Sequence, residues 1–309
     1  MNNPNKRNKQ LPCFLVIGAQ KSGTTSLHDI LRQHSKVYLP PEKEVHFFDN
    51  EKKYAKGLNY YSSFFIDAND NQLIGEVAPE YFWRHYVAER IFKDLGGKTK
   101  LIVILRNPAN RAYSHYKMNI TKGLTKDSVS NIVNKELKRI RNKSNSHVGG
   151  GCISRGFYAR QIKAYLKYFP LTQMHFILFE DEFLKNREKT INDIFGFLNL
   201  ENENIHINIK SYITAKPKSK SFDDILNTPN LINQIAKKLI PSKKYRVMLK
   251  AKLKGINTDK SSFPDEEFES LKSMLIKDAY YDDIKELEKI INRDLSSWYK
   301  DIPMNNNQI

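Results

Sequence analysis

Residues 14–31 read FLVIGAQKSGTTSLHDIL, and this stretch decides the fold. The apolar, partly β-branched residues 14–17 predict a buried strand that ends at Gly18. Residues 24–34 follow with apolar side chains on one helical face. A strand, a glycine-containing loop and a helix in this order are typical of a phosphate-binding loop, in which backbone N–H groups and the helix N-terminus hold an anion.

The loop has the glycine spacing of a Walker A motif but lacks its lysine. The position after the second glycine, Gly23, is Thr24, and the lysine lies inside the loop as Lys21. A Walker A lysine reaches the β- and γ-phosphates, and a Walker B aspartate holds magnesium. The next two strands end in EVAP (76–79) and RNP (106–108), without such an aspartate. The sequence therefore disfavours a magnesium site. A P-loop kinase or NTPase stays open as one enzyme class, although the missing lysine argues against it.

Strands and helices alternate along the first two thirds of the chain. Apolar runs predict further strands at residues 73–77, 101–105 and 175–179, and helical patterns occupy residues 81–95, 109–120, 158–169 and 189–198. This order is typical of a parallel sheet flanked by helices, with ligands bound at its carboxyl edge. Beyond residue 203 the sequence is mainly helical and ends with residues 268–298. We predict an α/β fold, a P-loop-containing parallel sheet with mainly helical C-terminal additions.

Composition restricts the class of protein. The chain has 309 residues, 40% hydrophobic residues and a net charge of +17, which suits a globular protein rather than a disordered one. Its only cysteines, Cys13 and Cys152, are too few for a disulfide framework, and no apolar run approaches the roughly 20 residues that span a bilayer. We therefore expect a cytoplasmic protein with one domain at residues 11–301 and flexible tails at residues 1–10 and 302–309.

More than half of the net charge lies in residues 210–260, which hold 13 Lys/Arg and three Asp. Apolar residues recur there at helical spacing between the lysines, a pattern of basic amphipathic helices. One interpretation is a pair of surface helices with solvated lysines. The other is a surface that attracts an acidic glycan or an anionic membrane, at the inner membrane face. No specific nucleic-acid-binding motif accompanies the charge.

Three motifs together carry a resemblance to a known family. They are QKSGTTS (20–26), EVHFFD (44–49) and LRNPANRAYS (105–114). The chain resembles sulfotransferases that use 3′-phosphoadenosine 5′-phosphosulfate (PAPS), in particular carbohydrate sulfotransferases of the heparan-sulfate type and their bacterial relatives. The resemblance implies that PAPS is the co-substrate, with no metal required.

The resemblance also implies which residues bind the nucleotide. The 5′-phosphosulfate would be held by Gln20, Lys21, Ser22, Gly23, Thr24, Thr25 and Ser26, with Lys21 at the bridging oxygen. Arg106 and Ser114 would bind the 3′-phosphate. The residues themselves agree, because Arg106 follows a buried strand beside a helix start capped by Asn107 or Pro108, where a guanidinium and a helix N-terminus suit a dianion. Weaker matches add Tyr158, Lys216 and Lys218.

Sulfuryl transfer to an alcohol needs a base and a cation, as phosphoryl transfer does. Lys21 suits the cation. Glu44 and His46 are two residues apart, so an extended segment would point both to one side, near Asp49. The resemblance implies that Glu44 is the base and that His46 assists it. Heparan-type enzymes carry a lysine where this chain has Val77, which leaves Glu76 as an alternative acid or base.

The sequence thus predicts sulfuryl transfer from PAPS to a hydroxyl of a carbohydrate, a polysaccharide or glycolipid precursor. The alternative from another class is a polyanion- or membrane-binding protein with a decayed nucleotide site, in which residues 210–260 carry the function. The acceptor pocket and the oligomeric state have no readable signature.

Overall fold

A five-stranded sheet organises this computed structural model, which describes residues 10–141, 151–208, 216–217, 258–259 and 265–302. The strands are β1 (Phe14–Gly18), β2 (Val37–Tyr38), β3 (Leu73–Val77), β4 (Lys100–Leu105) and β5 (Met174–Leu178). They lie in the order β2-β3-β1-β4-β5, and every pair is parallel. The predicted α/β sheet is confirmed, and β1 stands at its centre.

Helices cover both faces of the sheet. They are α1 (Thr24–Leu31), α2 (Glu51–Tyr54), α3 (Gly57–Ser62), α4 (His85–Leu95), α5 (Pro108–Thr121), α6 (Val129–Arg141), α7 (Tyr158–Leu166), α8 (Arg187–Leu198), α9 (Asp265–Leu275) and α10 (Tyr281–Ile291). A two-stranded antiparallel pair adds β6 (Lys216–Pro217) and β7 (Thr258–Asp259). None of the described helices is both long and apolar enough to cross a membrane.

The uninterrupted apolar runs of β1 and β4 follow from burial on both faces. Alternate residues of β1 enter different cores: Leu15 and Ile17 pack on the side of α4 and α7, whereas Phe14 and Val16 pack on the side of α1 and α8. Every residue of β1 is buried. The central strand therefore fixes the sheet between two apolar layers, and its carboxyl end delivers the loop at residues 19–23.

Several predicted boundaries were wrong. The helix predicted at residues 81–95 begins at His85, because residues 78–84 form turns and the Tyr81 hydroxyl is bound to the buried Glu76 carboxylate. The predicted helical ending divides into α9, a π-helical turn (Ile276–Tyr280) and α10, which stops where Asn292 adopts a left-handed conformation. Helices α1 and α7 end earlier than predicted, at Leu31 and Leu166.

Gly75 in β3 lies opposite Phe14 of β1, and a Cβ atom at this position would overlap the Phe14 ring. We expect Gly75→Ala to lower the free energy of unfolding by about 1–3 kcal/mol, because the fully buried ring has no space to move into. Urea denaturation measures the change. Gly196→Ala is the matched control: nothing lies within 4 Å of its added Cβ, so it should be neutral or stabilising by up to about 1 kcal/mol in a helix interior. Equal effects of the two substitutions would contradict this packing argument.

Candidate active site

The loop between β1 and α1 presents backbone donors at the carboxyl edge of the sheet. Gly23 precedes α1 with φ 88°, and no side chain caps the helix. A Cβ atom there would lie 2.9 Å from the Phe179 ring, so both conformation and packing require glycine. Ser22 is buried, and its Oγ has no hydrogen-bond partner. The helix N-terminus and this buried hydroxyl together suit an anion.

Lys21 lies in this loop with a left-handed backbone and lines the cavity below it. Burial lowers the pKa of its ammonium group to about 8, and the positive charges of Arg106 and Lys122 add to the effect. A desolvated cation surrounded by other cations gains most when an anion binds beside it. Lys21 is therefore placed to neutralise charge on a bound phosphate.

The end of β4 supplies the second group of anion-binding side chains. The Asn107 side-chain Oδ1 accepts hydrogen bonds from the N–H groups of Ala109 (3.1 Å) and Asn110 (3.2 Å), so Asn107 is the cap of α5 and Pro108 its first residue. The Arg106 Nη1 donates to the Lys21 carbonyl oxygen at 2.9 Å, and its Nε has no hydrogen-bond partner. Arg106 thus connects the start of α5 to the phosphate loop, and its Nε–H is available to a bound anion.

These elements surround one cavity of about 790 Å³, a size typical of small-molecule sites. Predicted nucleotide-binding residues that line it are Gln20, Lys21, Gly23, Thr24, Thr25, Ser26, Arg106 and Ser114, and the predicted base Glu44 lines it as well. Ser22 lies in the loop without reaching the lining. The structure therefore brings together most residues that the sequence indicated.

Tyr158, predicted to contact the nucleotide, takes a different place. It is fully buried at the start of α7, and its hydroxyl donates to the Arg106 carbonyl oxygen at 2.9 Å. It supports the end of β4 rather than lining the cavity. For Lys216 the structure describes only the backbone, as part of β6 against α5. Lys218 and most of the basic segment 210–260 lie outside the described residues.

Glu44 and His46 lie close together, but the predicted extended segment is wrong. Both have left-handed backbone conformations, with φ 63° and 57°, because the chain turns back beneath the end of β3, where the Glu44 N–H donates to the Val77 carbonyl oxygen at 3.2 Å. Their side chains still converge: the His46 Nε2 lies 3.5 Å from the Glu44 Oε2. The pair is therefore held by the turn rather than by strand alternation.

Asp49 completes this group on the other side of His46. Its Oδ2 lies 3.0 Å from the His46 Nδ1, and its side chain is only 6% exposed. The hydrogen bond to Asp49 raises the pKa of His46, against the opposing effect of burial, and the charge of Glu44 raises it further. The carboxylate of Asp49 thus orients the imidazole and favours its protonated form. Lys43 also lines the cavity, and its Nζ lies 2.5 Å from the Glu44 Oε1.

Glu76 lies behind this segment, away from the cavity lining. It is fully buried and accepts hydrogen bonds from the hydroxyl groups of Tyr61 (2.5 Å) and Tyr81 (3.0 Å). Burial raises its pKa to about 7. The Tyr81 hydroxyl also accepts from the Phe47 N–H at 3.0 Å. Glu76 therefore anchors the segment that carries Glu44 and His46, and its enclosure favours Glu44 for contact with substrate.

Sequence reasoning missed several lining residues. Asn110, Tyr113 and Lys117 occupy the same face of α5 as Ser114, and the helical spacing from Arg106 was a signal that pointed to them. Phe268 of α9 stacks on Tyr113 with ring centroids 4.0 Å apart and parallel planes. Lys122 and Lys272 add positive charge to the lining. The contact with α9 joins distant parts of the chain, so no local pattern indicated it.

Among the residues that the structure describes, no three His, Cys, Asp or Glu side chains are grouped so as to hold a metal ion. The cavity lining combines Lys21 and other residues of the phosphate loop with the carboxylate of Glu44. Glu44 lies beside His46, which is bound to Asp49, so the three side chains form a carboxylate–imidazole–carboxylate group.

Known proteins resemble this chain in sequence and in fold. Heparan sulfate glucosamine 3-O-sulfotransferase 5 of Mus musculus is 31% identical over 169 residues, 55% of this chain and 48% of the relative. Heparan sulfate glucosamine 3-O-sulfotransferase 3A1 of Mus musculus is 34% identical over 171 residues, 55% of this chain and 41% of the relative. The chain thus matches about half the length, or less, of these curated relatives.

A solved structure agrees over a longer span. The sulfotransferase from Alicyclobacillus acidocaldarius has a TM-score of 0.64 and 25% identity, and the match covers 94% of this chain and 99% of that one. The P-loop kinase or NTPase alternative finds no support in these likenesses. The model of the sulfotransferase domain matches residues 11–254, well over half of the sequence. On this match, together with a cavity built from the motifs at residues 20–26, 44–49 and 105–114, the chain belongs to the sulfotransferase family.

Proposed function

We propose that this protein transfers the sulfuryl group of PAPS to a hydroxyl group of a carbohydrate. One observation carries the proposal: the phosphate loop, Arg106, Ser114 and Glu44 line a single cavity. Members of the sulfotransferase family use PAPS. The relatives named above act, by their names, on the glucosamine of heparan sulfate, which supports a polysaccharide or a related glycolipid precursor as the acceptor.

The residues present fit a nucleotide that carries phosphates at both ends. Lys21 and the start of α1 would hold the 5′ end, while Arg106 and Ser114 at the start of α5 would hold the 3′-phosphate. The two groups are joined through the hydrogen bond from Arg106 to the Lys21 carbonyl, so the separation between the two anion sites is fixed by the protein. Such preorganisation lowers the entropic cost of binding.

Bound PAPS supplies the sulfuryl group: the acceptor oxygen forms a bond to sulfur as the bond from sulfur to the 5′-phosphate oxygen breaks. Glu44 takes the proton of the acceptor hydroxyl, because its carboxylate lines the cavity and the neighbouring His46 is held by Asp49. Lys21 neutralises the negative charge that develops on the departing 5′-phosphate oxygen. Lys43, paired with Glu44, holds that carboxylate in place.

The alternative of a polyanion-binding protein with a decayed nucleotide site is less well supported. The phosphate loop, the capped α5 and Glu44 are assembled around one cavity, and Glu44 is backed by His46 and Asp49. The contact of residues 210–260 with an acidic glycan or an anionic membrane remains a proposal, since that segment lies almost entirely outside the described residues.

Nucleotide binding tests the anion sites. We expect Lys21→Ala and Arg106→Ala each to weaken the affinity for 3′-phosphoadenosine 5′-phosphate (PAP) by at least tenfold, because hydrogen bonds to charged groups contribute about 1.5–3 kcal/mol. Isothermal titration calorimetry measures the affinity. Lys189→Ala, which removes an exposed lysine of α8 paired with Asp193, is the matched control and should bind as the wild type does. Unchanged affinity in both site variants would refute the assignment.

Removing the base separates transfer from binding. We expect Glu44→Gln to lower the transfer rate by at least a hundredfold, because general-base catalysis contributes about 10²–10⁴-fold, while its PAP affinity stays within about twofold of wild type. The measurement uses radiolabelled PAPS and a panel of glycan acceptors. Loss of PAP binding together with transfer would show instead that Glu44 supports the structure of the site.

The lowered pKa of Lys21 makes binding depend on pH. The free protein carries a protonated Lys21 below its pKa of about 8, and a bound anion raises that pKa. The binding contribution of this proton is therefore complete below pH 8 and is lost as pH rises above it, by up to about tenfold per pH unit. Calorimetry with PAP between pH 7 and 9.5 measures this decline. In Lys21→Arg the decline should disappear, because a guanidinium keeps its proton in this range; an equal decline in both proteins would contradict the role of Lys21.

A further inference from the structure

Glu80 lies behind the cavity, between the phosphate loop and the segment that carries the base. It follows β3 in the turns at residues 78–84, and its side chain is 13% exposed. Its Oε1 accepts from the Gln20 Nε2 at 2.8 Å and from the Arg155 Nη1, and its Oε2 accepts from the Trp83 Nε1 at 2.8 Å. Both oxygens of one largely enclosed carboxylate thus accept hydrogen bonds from different parts of the chain.

On the side of the phosphate loop, Glu80 belongs to a closed ring of hydrogen bonds. The Arg155 Nη1 donates to the Gln20 Oε1 at 2.9 Å as well as to Glu80. Gln20, Glu80 and Arg155 therefore form a three-membered hydrogen-bonded ring. Gln20 lines the cavity, whereas Glu80 and Arg155 do not, so the ring holds this residue of the phosphate loop from outside the cavity.

The other side of the arrangement leads to the base. The Arg84 Nε lies 4.0 Å from the Glu80 Oε2 and 3.8 Å from the Asp49 Oδ2. The same Asp49 oxygen lies 3.0 Å from the His46 Nδ1. Arg84 therefore stands between the carboxylates of Glu80 and Asp49. The pull of Glu80 on the guanidinium limits how closely Arg84 pairs with Asp49.

Trp83 keeps the cations in place. The guanidinium groups of Arg84 and Arg155 lie 4.7 Å and 4.6 Å from the centroid of its ring, within the range of cation–π attraction. Its indole N–H is bound to Glu80. The charge of Glu80 thus balances two arginines that share one aromatic ring, and neutralising it would free both to move.

We propose that Glu80 is a positioning residue that couples the phosphate loop to the base: through Gln20 and Arg155 it holds the loop, and through Arg84 it keeps Asp49 on His46. This inference rests on the proposed function. Asp49 is already slightly nearer to Arg84 than Glu80 is. Without the Glu80 charge, Asp49 alone of these two carboxylates attracts the guanidinium, and closer pairing between Arg84 and Asp49 competes with the hydrogen bond that orients His46. The phosphate loop, which would hold the nucleotide, and the base, which would act on the acceptor, are then no longer fixed relative to each other.

The test compares the wild type, Glu80→Gln and Gln20→Ala by two readouts that need no acceptor. The first is PAP affinity by calorimetry; we expect each variant to lose about fivefold, because the net contribution of one hydrogen bond is of this order. The second is the pKa of His46 by NMR titration of the labelled imidazole. His46 owes its raised pKa first to the bond with Asp49, and Glu80 adds to it, so the pKa should fall in Glu80→Gln.

The double variant distinguishes coupling from two separate defects. If Gln20 and Glu80 act through one ring, Gln20→Ala combined with Glu80→Gln should bind PAP no more weakly than the worse single variant. Glu51→Gln is the matched control, because Glu51 is an exposed carboxylate paired with Arg90 outside this network. It should change neither readout.

Three results would overturn the inference: PAP affinity and the His46 pKa unchanged in Glu80→Gln, losses that multiply in the double variant, or losses explained by a smaller folded fraction in thermal denaturation. Glu80→Gln could fail to fold, and Gln20→Ala guards against that outcome because Glu80 and Arg155 remain paired when the Gln20 side chain is removed. Failure of the wild type to bind PAP would overturn the proposed function itself, a result distinct from normal binding that ignores Glu80.

Discussion

The parallel pairing of β1 with β4 is the constraint on which the site depends. Phe14 pairs with Lys100 and Val16 with Ile102, the register shifts between Val16 and Gly18, and the Ala19 N–H donates to the Ile104 carbonyl oxygen at 2.8 Å. Because both strands run in the same direction, the phosphate loop and Arg106 leave the sheet at the same edge. The two helices that follow, α1 and α5, then direct their N-termini toward one cavity. The apolar burial that aligns the strands therefore also sets the distance between the anion-binding groups.

This geometry concentrates like charges. Lys21, Arg106, Lys117, Lys122 and Lys272 all line the cavity, and the acidic residues there, Glu44 and Glu269, are fewer. The repulsion among the cations contributes to the lowered pKa of Lys21. A ligand with several negative charges would relieve this repulsion, so anion binding and the stability of this edge of the sheet are linked.

Much of this arrangement was predictable because its determinants are local. The apolar run before Gly18, the helix beginning at Thr24 and the Asn107-Pro108 start of α5 are set by neighbouring residues, and they indicated that Lys21 and Arg106 follow the carboxyl ends of two strands. The backbone at Glu44 and His46 was not predictable: a left-handed conformation at a residue other than glycine depends on the contacts that enforce it. Here those contacts come from β3.

Other features depended on side chains far apart in the sequence. Tyr158 has a motif position that indicated the nucleotide, but its hydroxyl meets the Arg106 backbone instead. No sequence motif indicated a role for Glu80, which follows from the contacts with Gln20, Arg155 and Arg84 that the fold creates. The sequence contained the chemistry of each group, whereas its partners were determined by packing between distant elements.

The stack of Phe268 on Tyr113 also concerns how the protein is made. The phosphate loop precedes α9 in the sequence, so a growing chain contains the loop and the central strands before it contains the α9 wall of the cavity, which lies beyond the segment matched by the family model, residues 11–254. The stack of the two rings can form only after α9 has been synthesised, and this wall of the cavity is completed at that point.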